Sequence, residues 1–198
     1  KQNFMKLIVL ITWFCLSTFS TNEISISTHM NPKKANNNPR LEHIQKMAAY
    51  NHWANQQFAD WLSKADTQQW QLQMESSFPT LEATLRHLWN AEAGWLSTLK
   101  NQPWQMAVEE HQRLMPEELL SGFLKTSLAF QEFVEKLTEK DLDNTRKIGR
   151  DGKLVSLEDI IKHVYNHATY HRGQFITMGR QTGLSNPPRT DYIYFILQ

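Results

Sequence analysis

The chain has 198 residues, 40% hydrophobic and 21% charged, with a formal net charge of +1, enough apolar material for one well-buried domain. From Met30 onward acidic and basic side chains balance, and a nucleic-acid binder normally carries a clear basic excess or stripe, so DNA and RNA are not expected partners. The single cysteine, Cys15, excludes a disulfide framework and leaves the folded part without a nucleophilic thiol of its own.

The run MKLIVLITWFCLSTFS from Met5 has one lysine followed by an apolar stretch of signal-peptide length, too short for a membrane span and without an A-x-A cleavage pattern. The preferred reading is a natural start at Met30, which makes the upstream residues an over-extended reading frame and the protein cytoplasmic. The alternative is export through the signal-like segment. MNPKKANNNPR has no hydrophobic face and is expected to be a disordered lead-in. Residues 1–40 are thereby set apart from a single domain over 41–198.

The first helical pattern runs from about Leu41 to Lys64, with an apolar stripe of Ile44, Ala48, Phe58 and Leu62 interrupted by Asn51 and Asn55. Two amides on a buried face must be hydrogen-bonded. Bonding between helices is preferred to a place at a metal, because an amide is a poor ligand for borderline-soft ions. SSFPTLEATL opens the second helix, with Thr80 and Glu82 at its start, and the pattern reaches about Lys100. Leu81, Leu85, Leu88, Trp95 and Leu99 form the apolar stripe. Beside it lies a row of small residues, Thr84, Ala91, Gly94 and Thr98, where another helix is expected to approach closely; His87 is its only large polar group. Glu92 projects from the centre of the apolar stripe, so it is either paired, with Arg172 the candidate partner, or a catalytic acid or base with a raised pKa.

Pro116, Glu117 and Glu118 open the third helix, which extends to about Glu139. Its Leu119, Leu120, Phe123, Leu124, Leu128, Phe130, Phe133, Val134 and Leu137 read as core. NTRKIGRDGKLVS reads as a short hairpin or extended loop turning at Asp151 and Gly152. Ser156 caps the fourth helix with Asp159 in the capping-box position, and Gly183 ends it. The tail PPRTDYIYFIL is expected to lay its aromatic residues back on the domain. Four long helices with longer connections predict an all-α four-helix bundle, an architecture that builds metal sites between facing helices.

The fourth helix carries the most informative motif, NHATYHRGQ. His167 and His171 are one turn apart, about 6 Å along the axis and on one face, so both imidazoles can reach a single point. At about 100° per residue, Ile160, Val164, His167, His171, Gln174 and Met178 share a stripe. Two readings stand. One is a transition-metal site completed by His87, since three neutral imidazoles leave an open coordination position, as in catalytic sites. The other is a pair of core histidines bonded to Asn or Thr side chains. Ala168 stands where the HExxH of zincin proteases has its glutamate, which excludes that route to peptide hydrolysis. His163 lies about 80° around the axis from His171 and is read as adjacent to the site or structural, whereas Gln174 is placed to orient a ligand imidazole.

YNHWANQQF, SSFPTLEATLRHLWNAEAGWL, HVYNHATYHRGQF and the closing PRTDYIYF together resemble the DinB/YfiT-like damage-inducible family, which is distinct from the DNA polymerase sharing the DinB name. The resemblance covers about Leu41 to Phe195. It implies a four-helix bundle holding a divalent metal, commonly zinc or nickel, through three histidines, which its motifs place at His87, His167 and His171. His52 departs from the family, which more often has an apolar residue there. Relatives in the wider superfamily include thiol S-transferases and isomerases that use a low-molecular-weight thiol cosubstrate, and hydrolases. The leading expectation is therefore a metal-dependent transferase acting on a small-molecule electrophile. A hydrolase using metal-activated water and a non-catalytic metal-binding stress protein or homodimer module are the alternatives.

Overall fold

In the computed structural model, which describes residues 38–109 and 112–198, nine regular elements follow one another. They are α1 (Pro39–Leu62), α2 (Thr67–Gln71), α3 (Leu81–Leu99), α4 (Pro116–Glu135), α5 (Glu139–Leu142), β1 (Thr145–Ile148), β2 (Lys153–Ser156), α6 (Leu157–Gln181) and α7 (Tyr192–Ile196). The signal-like run with Cys15, the Met30 start and the polar lead-in lie outside the described residues. No helix of the described residues is long and apolar enough to cross a membrane.

The long helices α1, α3, α4 and α6 form the bundle, α1 and α3 each packing on both α4 and α6. Their ends are set by side chains the sequence supplies. Asn38 accepts from the backbone N–H of Arg40 and Leu41, and Thr80 from that of Ala83 at 3.0 Å. Ser156 accepts from Asp159 N–H at 3.1 Å. Beyond α6, Gly183 adopts φ +83°, and the N–H groups of Gly183 and Leu184 close back on the carbonyls of Arg180 and Gly179 at 3.1 and 2.8 Å. That pairing satisfies the last carbonyls of the helix and needs the left-handed backbone that glycine adopts without strain.

Two apolar clusters fill the bundle. One holds Phe58, Trp61, Leu85, Trp89, Phe123 and Phe175; the other holds Ile44, Leu96, Leu99, Phe130, Ile160 and Val164. Between these levels sits a buried polar layer of Asn51, Asn55, Glu92, Ser127 and Arg172. The Arg172 guanidinium donates to Asn51 Oδ1 (2.8 Å), Asn55 Oδ1 (2.9 Å) and Thr169 Oγ1 (2.9 Å). Asn51 Nδ2 in turn donates to Glu92 Oε1 at 3.2 Å, and Asn55 Nδ2 to Ser127 Oγ at 2.9 Å. The two amides thus join helices, and the bridge expected between Glu92 and Arg172 is relayed through them. His52 belongs to the same layer, its Nδ1 lying 3.2 Å from Ser127 Oγ.

Three expectations are corrected. Leu128 is 43% exposed, because it lies about 140° around α4 from Phe123 and so leaves the face that meets α1 and α3. α4 ends at Glu135 rather than near Glu139, since Thr138 N–H and hydroxyl both donate to Asp141, at 2.8 and 2.6 Å, and start α5. At Gly94 the small-residue row of α3 receives not a helix but the Trp104 indole from the following connection. Residues 145–156 form an antiparallel hairpin in which Thr145 faces Ser156, and Arg146 fastens it to the end of α3 by donating to Leu99 O at 2.7 Å. The tail turns into α7, whose Tyr192 and Phe195 meet Tyr50 of α1 at ring-centroid distances of 5.2 and 5.9 Å.

Candidate metal centre

α3 and α6 bring His87, His167 and His171 together, with one nitrogen from each lying within 4.8 Å of the others. His167 Nε2 stands 3.2 Å from His87 Nε2 and 3.1 Å from His171 Nε2. Nitrogens about 2.0–2.1 Å from a common ion stand about 3.3–3.4 Å apart in a tetrahedral set and about 2.8–3.0 Å apart in an octahedral one. The observed spacings fall between the two. The group can hold a metal ion.

Hydrogen bonding among the imidazoles does not account for the cluster equally well. Gln174 Oε1 lies 2.7 Å from His171 Nδ1, so this nitrogen donates its hydrogen outward and a neutral His171 turns the Nε2 lone pair inward. Gln174 Nε2 donates to the Tyr170 hydroxyl at 3.2 Å, so both ends of the amide are engaged. His167 Nε2 has a single in-plane position for a hydrogen and two nitrogens at close range, so every neutral arrangement leaves one contact without a hydrogen bond. A cation accepts all three lone pairs.

The electrostatics fit as well. Burial and then the neighbouring His171, His87 and His163 push His167 down to about 4. Burial lowers His87, with help from His171, and lowers His171, where Gln174 opposes it. All three are neutral at physiological pH, the state a metal requires of its imidazoles.

Phe78, on the segment leading into α3, stacks on His87 with ring centroids 4.1 Å apart and planes 22° from parallel. His87 and His167 open into a cavity of about 610 Å³ whose wall also includes Trp95, Trp104, Met106 and Val108. The connection carrying the last three residues is pinned to α3 by Asn90, which accepts from Ala107 and Val108 N–H at 2.8 and 2.9 Å and donates to Val108 O at 2.9 Å. Phe78, Asn90 and this connection were not anticipated from sequence; the one available signal was an aromatic residue directly before Pro79, which ends the extended stretch ahead of the Thr80 cap.

His163 is exposed, meets Trp95 edge-on at 4.8 Å and stacks 5.7 Å from His167, outside the three-nitrogen group. Glu92 is 2% exposed, accepts from Asn51 and Asn55 and does not line the cavity. Burial pushes its carboxyl up to about 8 against the opposing pull of Arg172, Ser127 and Asn51.

Known proteins share this arrangement of the chain. Protein DinB of Bacillus subtilis strain 168 is 27% identical over 157 residues, an alignment covering 74% of this chain and 90% of that protein. The crystal structure of a DinB-like protein from Bacillus cereus ATCC 10987 matches with a TM-score of 0.63 at 21% identity, covering 75% of this chain and 96% of that one. A second DinB-like structure, from Bacillus subtilis, matches with a TM-score of 0.53 at 15% identity, covering 78% and 99%. At these identities the two structures establish the fold. The DinB family model matches residues 31–197, and the chain belongs to the DinB family.

Proposed function

We propose that the chain is a divalent-metal-dependent transferase that joins a thiol cosubstrate to a small electrophile, with zinc or nickel held by His87, His167 and His171. The observation that carries this reading is a three-imidazole group at the wall of a ligand-sized cavity, in a chain whose single cysteine, Cys15, lies far upstream in sequence. His87, His167 and His171 would hold the ion, which when bound would lower the pKa of a thiol cosubstrate and so provide a nucleophile that the described residues do not offer.

The residues divide the remaining work. Gln174 holds His171 in the tautomer that faces Nε2 inward, and Phe78 covers one face of His87 against water. The cavity receives the electrophile next to His87 and His167. The thiol proton leaves to solvent, the sulfur–carbon bond forms, and the bond from carbon to the leaving group breaks with its electron pair departing on that group. No step needs a general base. Glu92, the candidate acid or base, is sequestered in the polar layer away from the cavity.

The test uses protein stripped of metal and reloaded with zinc or nickel, incubated with glutathione and 1-chloro-2,4-dinitrobenzene while thioether absorbance is followed. Metal-dependent thioether formation above the uncatalysed rate, lost in His167→Ala, is expected. Ester hydrolysis without thiol, or stoichiometric metal with no thioether from glutathione, cysteine or coenzyme A, would overturn the proposal.

A further inference from the structure

We propose that the occupant of the cavity beside the histidines is an uncharged compound carrying an apolar, ring-sized group, and that Trp104, seated on Gly94, sets which rings fit. This deepens the transferase reading by naming the class of its electrophile.

The cavity, at about 610 Å³, has the size of a small-molecule site. From His87 outward its wall is aromatic and apolar, running from Phe78 through Ala91 and Trp95 to Trp104 and Met106. Of its charged side chains, Arg86 has its charge offset by Glu82, 2.7 Å from its Nε, while its buried Nη1 has no partner among the described residues and offers a donor that an uncharged acceptor such as a carbonyl or ether oxygen can meet. Glu109 at the rim disfavours an anion further.

Trp104 and Met106 are 53% and 52% exposed, yet their backbone is held in place. Asn90 binds the connection at Ala107 and Val108, and Ser97 accepts from Gln105 N–H at 3.1 Å. Directly before the Gln105 anchor, the Trp104 indole lies on Gly94, where an added Cβ would come within 2.1–2.5 Å of three indole atoms. The indole cannot keep this position over any other residue. Its edge-on neighbour is Trp95, at a centroid distance of 5.5 Å and an interplanar angle of 81°. Large apolar groups fixed half-open to water beside a reactive centre gain free energy when an apolar partner covers them.

Trp104 is also a partition. With Trp95 it lines a second cavity of about 630 Å³, whose other walls include Thr98, Asn101, Arg146 and Lys147. Removing the indole therefore takes away one wall shared by the two spaces. The expected result is weaker binding of small rings and tolerance of longer ones.

The test is direct titration of metal-loaded protein with N-phenyl-1-naphthylamine, an uncharged ring compound whose fluorescence rises in apolar surroundings. Wild type, Gly94→Ala, Trp104→Ala and Trp104→Phe are compared, with metal content and circular dichroism measured on each. Binding about tenfold weaker in Gly94→Ala and Trp104→Ala is expected, the loss that accompanies returning one face of an apolar ring to water, with substantial recovery in Trp104→Phe. Equal binding in all four proteins, or tighter binding of anionic 1-naphthalenesulfonate than of the neutral probe, would overturn the proposal. This readout needs no turnover. A failed transferase assay with intact Trp104-dependent binding rejects the reaction and keeps the ligand class, and the reverse result does the opposite.

Discussion

Arg172 offers the sharpest test of how the bundle holds its site. Its guanidinium is 3% exposed and donates to Asn51, Asn55 and Thr169, so Arg172→Met strands three oxygens and leaves Glu92 without a nearby positive charge. Breaking a buried charged network from one side costs about 3–5 kcal/mol. For a domain of this size each kcal/mol lowers Tm by about 2–4 °C, so the variant should melt roughly 6–20 °C below wild type. Glu92→Gln should behave differently. Burial raises the folded carboxyl to about 8, above its value of 4.5 in the unfolded chain. The stability this contributes is fully present below pH 4.5 and is lost as pH rises through about 8, at up to about 1.4 kcal/mol per pH unit. Gln cannot titrate, so Glu92→Gln should remove that part of the pH dependence and gain on wild type toward pH 9. The measurement is urea unfolding of the three proteins at pH 5, 7 and 9. A loss below about 1 kcal/mol in Arg172→Met, or the same pH slope in wild type and Glu92→Gln, would refute the account of the polar layer.

Metal affinity measured by competition with a chromogenic chelator should fall severely in His87→Ala, His167→Ala and His171→Ala, and about 10- to 100-fold in Gln174→Leu, which frees the His171 ring without removing a ligand. His163→Ala should lose far less; equal loss across all four histidines would show that the ion sits nearer the start of α6. Duplex DNA at physiological ionic strength should bind no more tightly than non-specific background, because balanced charge cannot supply the phosphate contacts that dominate such affinity. Submicromolar, strongly salt-dependent binding in fluorescence anisotropy would contradict that.

What could be read from sequence is what repeats or caps. The bundle follows from helical periodicity in four segments, and the starts at Thr80 and Ser156 and the stop at Gly183 follow from local hydrogen-bonding chemistry. The approach of His87 to the His167–His171 pair was legible because helix geometry fixes the face of each ring. Asn51, Asn55 and Glu92 were legible as a problem, polar groups on apolar stripes, but the relay that solves it joins α1, α3 and α6 at residues far apart in sequence. The connection after α3 has no period at all. Gly94 signalled a close approach, yet nothing in the spacing says that its partner is an indole ten residues downstream.

The polar layer and the histidines are parts of one arrangement. Arg172 follows His171 directly in α6, and the guanidinium reaches across to Asn51 and Asn55 of α1 while the His171 ring turns to His87 of α3. Apolar clusters above and below tolerate small slips of one helix along another, because dispersion contacts are individually weak and replaceable. A guanidinium bonded to three side-chain oxygens does not. A slip of one residue would move α6 by about 1.5 Å, about half the 3.2 Å between the His87 nitrogen of α3 and that of His167, and would break the relay to Glu92. The layer thus fixes the register of α6 at the level where the imidazoles must converge. Its loss should therefore weaken metal binding even in variants that remain folded.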